Sequence, residues 1–168
     1  MASQFPLFIA HAGAPRSEPR VYEGLFLSTD TSQPGDLVFF DTADNNLKKC
    51  GANPALITGI ALGYAPSATN LTGGGMKPEP YAANRVPVAV LTEDVVVGMS
   101  SVSTPALSFM LRSFDLVNTV ITVGAGIRSF WQLANTTANT RVRVIDIDVT
   151  NGIFYVSFIN ANLQAIVT

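Results

Sequence analysis

The residues able to do chemistry in this 168-residue chain are few and scattered: one histidine, His11, one cysteine, Cys50, and one tryptophan, Trp131. A catalytic triad needs a histidine base held by a carboxylate, and a zinc site needs several His or Cys ligands. His11 lies among Pro6, Gly13 and Pro15, a stretch too rich in breakers to hold a base rigidly. Cys50 follows Lys48 and Lys49, whose charges would lower a thiol pKa. A lone cysteine between a strand and Gly51 reads more simply as a small buried residue. Asp146 and Asp148 stand two apart, roughly 7 Å along one strand face, a spacing that suits Ca²⁺ or acid/base work. With Arg141 and Arg143 beside them, the simpler reading is a solvated strand face. Asp41, Asp44 and Asn45 suggest a Ca²⁺ loop, but no glutamate closes it, so they read as turn chemistry.

Two glycine-rich stretches fail in a similar way. Gly124-Ala125-Gly126 is followed by Ser129 where a dinucleotide fingerprint needs its third glycine. Gly73-Gly74-Gly75 lacks the Gly-Lys-Ser/Thr ending of a phosphate loop. The expectation is therefore a protein that is not an enzyme, with no catalytic, metal or cofactor site.

Composition points to protein contact. Charged residues make up 13% of the chain, against roughly 25% in an average soluble protein. Apolar residues reach 48%, with a net charge of −2. That excludes a solvated disordered chain and argues against a nucleic-acid binder, which needs a basic patch. No apolar run reaches the length of a membrane span. The best, 86–99, is cut by Pro87 and by Glu93-Asp94. Obligate interfaces are depleted of Lys and Glu, and this chain has three lysines and four glutamates. An oligomer or a larger assembly is expected. One cysteine cannot form an internal disulfide, and the N-x-S/T matches at Asn70 and Asn135 read as chance.

Strand signals dominate the elements that would position these residues. Residues 1–20 read as an extended arm, broken by Pro6, Pro15 and Pro19, that carries Phe5, Leu7, Phe8 and Ile9 as apolar anchors; an edge strand of the same domain is the alternative. Residues 21–168 read as a single β-rich domain with a long loop at about 65–84. Within it, 21–28, the buried run Leu37-Val38-Phe39-Phe40, a return strand at 47–50 and a strand at 55–64 follow in order, the two glycines of the last, Gly59 and Gly63, suggesting close backbone approach or a bulge. A hairpin across Thr92-Glu93-Asp94 is expected, then a strand at 117–123. The one helix candidate is capped at Ser103-Thr104-Pro105 and has apolar Leu107, Met110, Leu111 and Phe114 at helical spacing.

At the C-terminal end, Asn151-Gly152 predicts a two-residue hairpin turn. That turn would pair Val149 with Phe154, Ile147 with Val156 and Ile145 with Phe158 on the buried face. The apolar phase of Val142 and Val144 conflicts with that of Ile145 and Ile147; a β-bulge near Val144-Ile145 would repair this, and the alternative is that Val142 and Val144 pack on a second surface, such as a neighbouring subunit. The fold class expected is all-β, a sandwich or barrel-like form of jelly-roll or β-tulip type, with at most one or two short helices.

The series Pro34-Gly35-Asp36-Leu37-Val38-Phe39-Phe40-Asp41, Leu47-Lys48-Lys49-Cys50-Gly51 and Ile57-Thr58-Gly59-Ile60-Ala61-Leu62-Gly63, followed by the hairpin at 86–99, resembles the head decoration (cement) proteins of tailed bacteriophages. The likeness covers about residues 35–99 and carries no chemical groups, so it transfers no site residues. It implies a structural virion protein, assembled in the host cytoplasm. Such a protein binds the major capsid protein on the outer shell, often as a homotrimer, and acts on neither nucleic acid nor membrane. Phe5, Leu7, Phe8 and Ile9 are then the candidate capsid-attachment residues. The alternative is a β-sandwich that binds carbohydrate or a receptor, for which Trp131 with Asn135, or Tyr81 with Asn84, would supply an aromatic platform and a polar neighbour.

Overall fold

Runs of β-branched and aromatic residues form strands wherever turn residues bound them, and the computed structural model of the chain is all-β. It describes residues 7–12, 19–65, 84–123 and 126–164. The strands are β1 (Phe8–Ala12), β2 (Val21–Leu25), β3 (Leu37–Asp41), β4 (Asn46–Lys49), β5 (Gly59–Ala61), β6 (Arg85–Val90), β7 (Val95–Ser101), β8 (Ser113–Phe114), β9 (Leu116–Val123), β10 (Gly126–Leu133), β11 (Val142–Asp148) and β12 (Ile153–Phe158). The expected loop lies almost wholly outside the described residues.

Two sheets result. One runs β2-β6-β5-β3-β4, the other β8-β11-β12-β7-β10-β9, with β1 added to β7. The first curls until its two ends meet, where Phe26 bridges Leu47. Gly24 makes that closure possible, because a Cβ there would overlap the Leu47 side chain at 1.9 Å. Gly59 is as constrained: its Cβ would stand 2.4 Å from the carbonyl oxygen of Ala89. The close backbone approach read from the glycines of this segment is thus real at Gly59.

The curl encloses a small core of Phe26, Val38, Leu47, Ala61, Ala65, Val86 and Val88. A larger core lies between the sheets, built on Trp131, Met99, Phe114, Phe154, Phe158 and their neighbours, with Leu37, Ile57 and Ile60 reaching in from the first sheet. The apolar run of β3 follows from this. Leu37 and Phe39 face the large core, while Val38 and Phe40 face the small one. A strand buried on both faces has no polar alternation to show.

Three expectations are corrected. The hairpin across 92–94 does not form, since β6 belongs to the first sheet and β7 to the second, and the turn is the corner between them. The helix at 103–114 shrinks to one 3₁₀ turn, Leu107–Phe109. Phe109 and Met110 pack on the large core, and Phe109 stacks on Phe114 with centroids 5.2 Å apart, leaving Leu107 and Leu111 outside. A further 3₁₀ turn is Asn160–Asn162.

The third correction concerns the C-terminal hairpin. Val142 pairs with Phe158, Val144 with Val156 and Ile147 with Phe154, and the register shifts between Val144 and Asp146. The bulge is where the phase conflict placed it. It throws Ile145 outward and lets Val142, Val144 and Ile147 share the buried face. The turn then holds four residues rather than two. Only Gly152 takes a positive φ, 74°, and Asp148 accepts hydrogen bonds from the backbone N–H of Asn151 (2.9 Å) and its Nδ2 (2.7 Å). The β3–β4 turn repeats the design: Asn45 takes the positive φ, 54°, and Asp41 accepts from the N–H of Ala43.

The chain end locks the two sheets together. Gln164 accepts from the N–H of Phe40 (2.9 Å) and donates to its carbonyl (2.8 Å), so a side-chain amide stands where a strand would pair.

This register makes a direct prediction. Phe158→Ala, which empties a site 2% exposed, is expected to cost about 3–5 kcal/mol. Val149→Ala, at 50% exposure, is expected to stay within about 0.5 kcal/mol. Urea unfolding of both variants checks it; comparable losses would restore the two-residue turn and its register.

Candidate functional site

Asp36 enters β3 behind the Pro34-Gly35 turn, and its side chain is 1% exposed. A carboxylate so placed needs partners on both oxygens. Oδ1 accepts from the hydroxyl of Ser129 on β10 (2.5 Å), and Oδ2 from the N–H of Gln33 (2.8 Å). Lys49, at the end of β4, completes a triangle: its Nζ lies 2.8 Å from Asp36 Oδ2 and donates to Ser129 Oγ at 2.7 Å.

A serine, a lysine and an aspartate in mutual contact invite comparison with a nucleophile and its base. The geometry opposes that use. The Lys49 ammonium is ion-paired with a buried carboxylate, and a base must be free to take a proton. The three groups satisfy one another and pin β3 and β4 to β10. Their chemistry is that of a polar staple between the sheets.

A cleft of about 280 Å³ opens beside the staple, lined by Leu27, Thr29, Asp30, Thr31, Lys48 and Lys49. Its charges are already matched. Lys48 bridges Asp41 (2.6 Å) and Asp44, and Asp30 accepts from Ser32 and from the N–H of Lys49. The Lys48 ammonium holds the Asp41 carboxyl below its ordinary pKa. Neither lysine stands free to draw in an anion.

The residues singled out from sequence are dispersed. His11 is in register with Val96 in the β1–β7 ladder. Cys50 is buried, with Sγ 3.6 Å from the carbonyl oxygen of Leu56, and burial followed by the nearby Asp36 charge pushes its thiol far up. Cys50 is thus the small buried residue its setting suggests rather than an activated thiol, and Lys48 and Lys49 are paired with Asp41, Asp44 and Asp36. Asp146 is exposed and accepts from the N–H of Ile147, while Asp148 is held by Asn151, whose hydrogen bonds lower its pKa. Among the described residues no group of three or more His, Cys, Asp or Glu could hold a metal ion. Trp131 is 0% exposed within the large core, so it cannot stack on a sugar beside the exposed Asn135. Tyr81 and Phe5 lie outside the described residues. Leu7 is buried in the large core and Ile9 packs against it, so these two anchors are held by the chain's own fold, with Phe8 opposite Gly98 in β1.

No family model, no curated protein and no solved structure matches this chain.

A second buried carboxylate was not read as a site. Asp115, 4% exposed, accepts from Thr136 Oγ1 (2.7 Å) and from the N–H groups of Ala138 (3.2 Å), Asn139 (2.8 Å) and Thr140 (2.8 Å). It shapes the loop between β10 and β11. Burial alone raises its pKa, but these four bonds to the charged form outweigh it and set the value below the ordinary 3.8.

Two outcomes follow. Asp36→Ala leaves Lys49 and Ser129 without their buried partner and is expected to cost about 3 kcal/mol in chemical unfolding. For Asp115 the folded pKa lies below the unfolded one, so its stabilisation is complete above pH 3.8 and fades as the pH falls through the lower folded value. Asp115→Asn is expected to be less stable than the parent at neutral pH. Denaturation curves taken down the acid range should show the gap closing below pH 3.8; a constant gap would mean that the carboxylate charge is not what holds the loop.

Proposed function

We propose that the chain is a structural virion protein that binds the outer surface of a phage capsid and braces contacts between capsid subunits, working as a homo-oligomer. The observation that carries this reading is where its apolar residues end up. With both cores filled, Leu111 (69%), Leu107 (66%), Val149 (50%), Val102 (50%) and Ile145 (40%) still stand exposed on a chain with 13% charge. Scattered exposed leucines are ordinary, but apolar residues gathered on one margin mark a contact surface.

Several of these residues do gather. Leu111 donates its N–H to the carbonyl of Val144 (3.0 Å), directly beside the bulged Ile145. Pro105, which precedes Leu107, reaches the turn after β11, 4.0 Å from where a Gly152 Cβ would stand. Together they edge the β8–β11 margin of the second sheet. Leu111 also holds φ at 60°, a left-handed conformation that costs a leucine about 1 kcal/mol or more. Two hydrogen bonds with Val144 keep it there: the Leu111 N–H donates to the Val144 carbonyl, and the Val144 N–H donates to the carbonyl of Arg112. A leucine left 69% exposed in a strained conformation gains little from this fold, and it fits a side chain that contacts another protein.

On this reading the β8–β11 margin meets the capsid protein, while Leu7 and Ile9 serve the fold. Leu111→Gly separates the two roles. It is expected to hold or raise thermal stability, by up to about 1 kcal/mol, because glycine accepts the positive φ freely. It should at the same time weaken co-sedimentation with purified heads that lack the protein. If the parent chain does not bind such heads at all, the capsid reading falls; if Leu111→Gly binds as the parent does, the margin is not the contact.

A further inference from the structure

Besides the five-residue β1 that branches from β7, the two sheets have four ends along their strand paths, and three of these are protected against pairing. β2 carries Glu23, β4 carries Lys48 and Lys49 and curls onto β2, and β8 is two residues long beside Arg112. β9 is different. It is an eight-residue edge, Leu-Val-Asn-Thr-Val-Ile-Thr-Val, without a charge or a proline. Charges, prolines and short length are what keep edges from joining other chains.

The ladder fixes which groups face outward. Ala134 donates to the carbonyl of Asp115, so that pair is hydrogen-bonded, whereas Leu116 turns its N–H away from β10 to Asn53 Oδ1. Alternation along an antiparallel pair then points the backbone groups of Asn118, Val120 and Thr122 away from β10. Beyond β10 they have no partner among the described residues. On the same strand face Val120 is 60% exposed, and the side-chain Oδ1 of Asn118 is buried without a partner.

We propose that β9 is a self-association edge, on which a second copy of this chain adds its own β9 antiparallel across a two-fold axis at Val120. An antiparallel pair must match outward residues with outward residues. Centring on Val120 matches all three at once: Val120 with its counterpart, and Asn118 with Thr122 of the second copy in both directions. Two exposed valines then cover each other, and the outward N–H and C=O groups of both edges find partners. This inference does not rest on the capsid reading.

The test places a charge at the axis. Val120→Lys and Val120→Glu each place like charges directly opposite one another across the axis, which is destabilising. Sedimentation should show the parent chain as an even-numbered oligomer and either variant with its dissociation constant raised about tenfold or more. Circular dichroism checks that both variants keep the strand signal. An equimolar mixture of the two should recover association, because Lys then faces Glu. Hydrogen exchange should show the amides of Asn118, Val120 and Thr122 protected in the parent and fast in either variant. A parent that sediments as a monomer, a trimer whose association neither variant changes, or a mixture that does not recover each overturns the proposal.

Discussion

β3 is the strand on which both cores depend. Its alternate side chains enter different interiors, Leu37 and Phe39 the larger, Val38 and Phe40 the smaller. A strand enclosed in this way has backbone groups that water cannot satisfy, so each needs a partner. β4 lies along one edge and β5 reaches only Leu37 and Val38 on the other. Beyond β5 the Gln164 amide takes over, meeting the N–H and the carbonyl of Phe40 together. The strand's entrance is fixed by Asp36, whose carboxylate gathers Lys49, Ser129 and the Gln33 N–H. The staple therefore sits where a displacement of β3 would open both cores.

Much of this was legible in the sequence because it depends on local pattern. The run Leu37-Val38-Phe39-Phe40 announces a buried strand, Gly59 a close approach, and the phase conflict at Val144-Ile145 a bulge. The errors share a cause: a local signal competing with a tertiary demand. Asn151-Gly152 favours a two-residue turn, but that turn would bury Ile145 and Val149 and put Val142 and Val144 out of phase. Burying Val142, Val144 and Ile147 against Phe154, Val156 and Phe158 outweighs the preference of one dipeptide. The helical spacing of Leu107, Met110, Leu111 and Phe114 loses in the same way to Phe109, which finds Phe114 and Phe154 at stacking and edge-on distances.

The staple was not legible, and no local signal could have supplied it. Ser129 stands 93 residues from Asp36 and 80 from Lys49, on a strand whose glycine-rich approach suggested a different chemistry. Contacts between sheets leave no period in a sequence. What did show was their residue types: an aspartate just before a buried strand, and a lysine at the end of its partner, both in places where burial would oblige them to pair.

The second sheet relates the two surfaces left over. Its ends are β8 and β9, at opposite sides of the β11-β12-β7-β10 body. The strained Leu111 and the bulged Ile145 lie along the first, the uncharged ladder edge along the second. Pairing through β9 would leave each β8–β11 margin open and set two copies of it at the far ends of one continuous sheet. Two weak apolar margins held by one rigid body bind a surface with matching sites far better than either alone, since the second contact is made at high effective concentration. A chain with little charge and modest exposed patches then has no need of a large single interface. Its grip would come from the spacing of repeated small ones, which suits a partner that is itself a regular lattice.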